Sequence, residues 1–186
     1  MDALDLMLSR ESALKLQSPG PSADELEQML ASAVRAPDHG RLRPWHFIVI
    51  DEDRRAAFGA VMAESLRRRD TSASEPELQR ERDKAFRSPV IVVVAAKVKR
   101  EHKIPEIEQI ASASAAAQTI MLAAPALGYG AVWKTGAPAY DPAVKTALGL
   151  QAEDNIIGFL YIGTRAGGSS PIPRPDAKDF VTTWAG

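Results

Sequence analysis

The chain has 186 residues, 45% of them hydrophobic, and a formal net charge of −1. That is enough for one domain with a real core, and its bulk charge gives no argument for a nucleic-acid or anionic-membrane partner. Cysteine is absent, which excludes disulfides, thiolate catalysis and cysteine-ligated zinc together; the three histidines, His39, His46 and His102, form no helical HxxxH pair, so a structural metal is not expected.

Residues 2–10 carry Asp2 and Asp5, with no basic start and no long apolar run, unlike a secretory leader. Residues 2–9 read as a short helix with Leu4, Met7 and Leu8 on one face. Ser18-Pro19-Gly20-Pro21 breaks the chain. Ser22, with Glu25 three residues on, then forms a capping box for a helix to about Arg35, with Leu26, Met29, Leu30, Ala33 and Val34 on its apolar stripe. A proline- and arginine-rich loop leads to a strand at 47–50. Residues 53–69 have helical spacing through Phe58, Val61, Met62 and Leu66, 71–74 form a break, and 77–86 read as a charged, solvated helix. Acids intersperse the arginines of this hairpin, which favours a salt-bridged surface over a nucleic-acid patch.

The continuous run Val90-Ile91-Val92-Val93-Val94-Ala95-Ala96 predicts a central strand buried on both faces. Residues 106–127 form a long alanine-rich helix. Polar residues at 112, 114, 118 and 119 mark its apolar part as a buried helix, not a membrane span. Gly128 is its expected C-cap, and Pro125 is expected to kink or end it early. A short strand at 131–133, a short helix at 142–148 and an apolar strand at 156–162 follow. Residues 171–186 make a proline-rich arm whose Phe180, Val181 and Trp184 need burial on their own domain or on a partner subunit. Helices and strands mix without strict alternation, which predicts a single domain, 1–186, of layered α+β or irregular α/β type. A cytoplasmic enzyme or binding protein is expected.

No GxGxxG follows the first strand, and there is no P-loop and no GxSxG elbow. With so few groups able to do covalent chemistry, an enzyme of this sequence would take its reactivity from a cofactor. Three segments carry chemistry. Arg10-Glu11-Ser12 places a guanidinium and a hydroxyl where both could reach one phosphate, or where they merely finish a helix. The loop from Arg35 through Pro37, Asp38, His39, Gly40, Arg41 and Arg43 to Pro44-Trp45 suits an anionic, planar ligand, or is a stiff connector with solvated arginines. Gly128-Tyr129-Gly130-Ala131-Val132-Trp133-Lys134-Thr135-Gly136 allows close backbone approach, or is a tight turn and a strand end.

These segments, followed by Ile156-Ile157-Gly158-Phe159-Leu160-Tyr161-Ile162-Gly163-Thr164, stand in an order that resembles the nitroreductase superfamily of flavin enzymes, and most closely its compact bacterial NAD(P)H-dependent subgroup. The resemblance spans essentially the whole chain. It implies an α+β fold with a central, mostly antiparallel sheet flanked by helices. It also implies an intertwined homodimer whose C-terminal arm crosses to the partner, with FMN at the interface. Arg10, Glu11 and Ser12 match the first flavin-binding segment, with Arg10 and Ser12 near the phosphate. Arg35 and His39 match positions that reach the flavin from the other subunit. Trp133, Lys134, Thr135 and Gly136 match the strand-end segment along the ring and ribityl chain, with a backbone N–H near Thr135 or Gly136 as the donor to flavin N5. Residues 123–128 match a stretch assigned to nicotinamide-nucleotide binding. Glu11 stands where many members carry a second basic residue, and residues 39–43 replace a polar S-x-N-x-Q.

The implied activity is reduction of nitro compounds, quinones or another small acceptor by NADH or NADPH in a ping-pong hydride transfer. Dehalogenation, flavin cleavage, unsaturated-bond reduction and non-catalytic flavin binding remain alternatives on the same fold. No nucleic acid and no membrane is expected as a partner.

Overall fold

The computed structural model describes residues 2–168 and 173–186. Pro171, the expected start of the arm, lies outside them. In chain order the elements are α1 (Ala3–Ser9), β1 (Leu16–Gln17), α2 (Ala23–Ala33), β2 (Trp45–Ile50), α3 (Arg55–Arg69), α4 (Glu75–Asp83), β3 (Val90–Ala96), α5 (Glu106–Ala126), β4 (Gly130–Lys134), α6 (Pro142–Ala147) and β5 (Asn155–Arg165).

Every pairing in the sheet is antiparallel, and β5 organises it. On one side it pairs with β3, from Val90 opposite Ile162 to Ala96 opposite Asn155, with a register shift between Val94 and Ala95. Its other edge is shared: β4 covers residues 159–163 and β1 covers 164–165. β2 completes the sheet on β3, with Trp45 opposite Ala96. Side chains alternate between faces. Ile91, Val93, Phe159 and Tyr161 therefore pack in one core with Phe58 and Met62 of α3 and Val144 of α6. Val92, Val94, Leu160 and Ile162 pack in a second core with Met29 and Ala33 of α2 and the alanines of α5. Residues 91–96 are fully buried, as expected of a strand covered on both faces. The result is a three-layer α+β domain.

Local chemistry explains most boundaries. Ser22 and Glu25 form the expected capping box of α2, and Ser74 with Glu77 forms a second at the start of α4. The charged hairpin of α3 and α4 is laced by pairs such as Arg67–Glu64 at 2.7 Å and Arg68–Glu64 at 3.2 Å. One expectation fails. Pro125 does not end α5 early; the helix runs through it to Ala126. In the last turn the missing N–H costs one helical bond, and the turn is closed without it: Gly128 N–H donates to Pro125 O at 3.1 Å and Tyr129 N–H to Ala124 O at 2.9 Å. Gly128, at φ 89°, supplies the left-handed residue this ending needs.

Candidate functional site

Arg10 ends α1 in a non-helical conformation, and the next residues are stitched along the edge of the sheet. Ala13 N–H donates to Ala131 O at 2.9 Å, and Ala166 N–H donates to Lys15 O at 3.0 Å. This close approach requires a glycine at 130, because a Cβ there would lie 2.8 Å from the Cβ of Ala13 and from Leu16 Cδ2. A cavity of about 290 Å³ opens beside Gly130, lined by Ser9, Arg10 and Glu11 on one side and by Pro125, Tyr129 and Arg165 on the other. A second cavity, of about 320 Å³, continues past Ser12, Leu14, Lys15 and Gly167, and Arg165 borders both.

The charges of this corner are arranged around Glu11, whose carboxylate pairs with the Arg165 guanidinium. Arg174 of the C-terminal segment donates to the backbone oxygen of Arg10. Arg10, Lys15 and Arg165 thus border the two cavities that share Glu11, and Arg174 reaches the Arg10 backbone beside them. Guanidinium groups and a hydroxyl are the donor set that a phosphate monoester needs, so the residues present fit the phosphate end of a nucleotide. Arg165 and Arg174 are absent from the sequence reading. The only local signal for Arg165 is Gly163-Thr164-Arg165 at the close of a strand; the β1–β5 pairing brings it to this corner, and Arg174 arrives from the C-terminal segment beyond the sheet.

The other end of β4 carries Trp133, Lys134, Thr135 and Gly136. The Trp133 indole N–H donates to Ile157 O at 3.1 Å, and the ring lies against Gly158, where a Cβ would come within 2.1 Å of Nε1. Trp133 and Lys134 are half-buried, and Thr135 and Gly136 are exposed. Gly136, at φ 101°, turns the chain into the next helical turn. Lys134, Thr135 and Gly136 border a cavity of about 240 Å³ whose far wall holds Arg69, Lys84 and Arg87. Its floor includes Tyr161, whose phenol is pushed up to about 12 by burial, with the nearby Arg87 acting against that rise. From Gly130 to Lys134 the strand spans four residue steps of ~3.4 Å, about 14 Å.

Arg35 and His39 lie elsewhere. Their loop is pinned to the N-terminal half of α5: Ser112 Oγ donates to Pro37 O at 2.7 Å, and His39 Nδ1 is 2.6 Å from Glu108 Oε2. Pro125, which borders the Arg10 cavity, is 17 residues further along that helix, or about 26 Å at 1.5 Å per residue. Within one chain, Arg35 and His39 therefore do not meet Arg10 and Ser12. Residues 123–128 do approach the Arg10 cavity, through Pro125 and Gly128. Among the described residues no group of three or more histidine or acidic side chains could hold a metal, and no helix is long and apolar enough to cross a membrane.

The fold and this corner define a class: an α+β protein with an all-antiparallel sheet and a cation-rimmed edge strand running from a phosphate-sized corner to a glycine turn. The chain belongs to the nitroreductase family, whose model matches residues 7–164. It is 39% identical over 183 residues to YdjA of Escherichia coli, provisionally named an NAD(P)H nitroreductase, covering 98% of this chain and 99% of that one. Among solved structures, a nitroreductase-like family protein from Bacillus cereus superposes with a TM-score of 0.86 at 23% identity, covering 100% of this chain and 97% of its own. A nitroreductase with bound FMN from Bacteroides fragilis superposes with a TM-score of 0.73 at 18% identity, covering 99% of each chain.

Proposed function

We propose that this chain is an FMN-dependent oxidoreductase that uses NADH or NADPH to reduce a nitro compound, a quinone or a related small acceptor, and that it works as a homodimer. The observation that carries the reading is the Arg10–Ser12 segment, held against Gly130 with Arg165 and Arg174 beside it. The full-length relative named for NAD(P)H nitroreductase activity and the FMN bound by a structure of the same fold support it.

When bound, FMN would supply the hydride-accepting and hydride-donating centre. This chain's residues anchor and tune it. Arg10 and Ser12 hold the phosphate. Glu11, neutralised by Arg165, fixes that guanidinium in place. Trp133, Lys134 and Thr135 line the ribityl chain and ring, and a backbone N–H at Thr135 or Gly136 is the donor aimed at N5. The positive charge of the partner's copy of Arg35 would favour the reduced ring. The separation of Arg35 and His39 from Arg10 within one chain supports a site completed by a second copy.

The test is the absorbance spectrum of fresh protein, followed by steady-state oxidation of NADH and NADPH with a nitroaromatic or a quinone. A yellow protein that turns over both substrates is the expected result. A folded protein that stays colourless after soaking in excess FMN overturns the reading.

A further inference from the structure

The loops at residues 35–43 and 97–105, with the first three residues of α5, carry seven lysines and arginines against four carboxylates, on a chain whose net charge is −1. All seven cations are exposed. Among the described residues Arg35, Arg41, Arg43, Lys97, Lys99 and Lys103 form no ion pair, and Arg100 alone meets an acid, Glu106, at 3.8 Å. Two of the four carboxylates are engaged away from these cations: Asp38 accepts the N–H groups of Leu42 and Arg43 at 3.2 and 2.7 Å, and Glu108 meets His39. The contrast with the α3–α4 hairpin is direct, because there Arg67, Arg68, Arg82 and Lys84 each face a neighbouring glutamate.

Both loops are held firmly. Arg41 and Arg43 sit at φ 54° and 51°, a conformation that costs a non-glycine residue energy and persists where the surroundings impose it. The buried Gln109 grips the second loop through Lys99 N–H at 2.8 Å, Lys99 O at 3.0 Å and Ile104 O at 3.1 Å. The loops also touch, since a Cβ on Gly40 would lie 2.3 Å from Ile104 Cδ1. They emerge from the sheet end that bears Lys134, Thr135 and Gly136, because Trp45 pairs with Ala96, Ala96 with Asn155 and Lys134 with Phe159. At ~4.8 Å per strand spacing, β3 and β2 lie about 10 and 14 Å from β4. Arg35 on the first of these loops is proposed to reach the flavin of the second copy, so a nicotinamide stacked on that flavin would carry its adenosine phosphates toward this chain's paired loops.

We propose that these paired loops bind the 2′-phosphate of NADPH, with Arg41 and Arg43 as its principal donors, and so make NADPH the preferred reductant. This rests on the oxidoreductase reading above. Unpaired guanidinium groups carried on a held backbone suit a phosphate dianion by bidentate, charge-assisted bonds, and an exposed patch of one sign also steers an anion to it.

The test has two arms. In the first, kcat/KM is measured for NADPH and NADH on the flavin-loaded enzyme. Wild type should favour NADPH by roughly tenfold or more, and the preference should shrink as salt screens the patch. Arg41→Gln/Arg43→Gln should lower kcat/KM for NADPH by at least about fivefold more than for NADH, with bound flavin and melting temperature unchanged. Lys99→Gln/Lys103→Gln, which leaves the strained loop intact, should shift the ratio in the same direction. In the second arm, adenosine 2′,5′-bisphosphate and adenosine 5′-monophosphate are titrated into wild type and variants, without turnover. The bisphosphate should bind more tightly, and the arginine variant should abolish the difference. A yellow, active enzyme indifferent to the 2′-phosphate in both arms overturns this inference and leaves the oxidoreductase reading standing. A colourless protein that still discriminates the two adenosine phosphates does the reverse.

Discussion

At the scale of single residues, the corner around Glu11 shows how a charge can be read wrongly in isolation. A carboxylate between Arg10 and Ser12 should weaken a phosphate site by like-charge repulsion, yet Glu11 is paired with Arg165. Its effect is to hold that guanidinium beside the cavity. Arg10→Ala should therefore weaken FMN retention by roughly tenfold or more, through loss of a charge-assisted phosphate contact. Flavin absorbance after gel filtration reads this directly, and retention at the wild-type level would remove Arg10 from the phosphate role. Gly158 makes a sharper packing case. Its missing side chain leaves room for the Trp133 indole, and Gly158→Ala would drive a methyl to 2.1 Å from Nε1. The ring has to move and its bond to Ile157 O is lost. The expected cost is about 1–3 kcal/mol of stability, measurable by urea denaturation; an unchanged midpoint would show that the indole repacks freely.

At the scale of elements, legibility followed the range of the forces. Residues 90–96 and 156–162 were readable as buried strands because β-branched runs have few other uses, and α2 was readable from a capping box contained within four residues. β1, two residues long, had no pattern to find; it exists because β5 extends past β4 and offers an edge. Pro125 misled because a rule about helix interiors was applied to a last turn. In the site, Arg10 and Ser12 were visible as residue types, whereas Arg165 and Arg174 were not, since only the β1–β5 pairing and the path of the C-terminal segment bring them near. β2 offers an element-scale prediction. His46 sits half-buried on this strand; its pKa is held below the usual 6.5 by burial and by Lys97, with Asp154 opposing. The unfolded chain thus takes up the proton before the folded one does. Stability from this residue is fully present above pH 6.5 and is lost as pH falls from there through the folded pKa. His46→Gln should flatten that segment of the stability curve, read as melting temperature between pH 7.5 and 5; an undiminished slope would assign it to other groups.

At the scale of the molecule, the most demanding feature is apolar surface that this chain does not cover. α1 buries none of its side chains, leaving Leu4 67% and Leu8 78% exposed, and Leu14 beyond it is 73% exposed. On the C-terminal segment Phe180 and Trp184 are 76% and 89% exposed. Leucines and aromatics so arranged favour association, because a monomer rarely leaves contiguous apolar patches in water. The proposed homodimer would cover them, with α1 packed at the interface and the arm carrying Phe180, Val181 and Trp184 onto the second copy. Arg174 ties the two questions together, since the segment proposed to cover a partner also touches Arg10. A chain cut before Pro171 should then lose two properties at once: sedimentation should show a shift from dimer toward monomer, and FMN should dissociate more readily. Leu8→Glu, which leaves the arm and Arg174 in place, separates the causes. It should weaken the dimer by inserting a charge into the covered face, and flavin should be lost only as far as the dimer is lost. A truncated protein that sediments as an intact dimer and keeps its flavin would place the arm outside both the interface and the site.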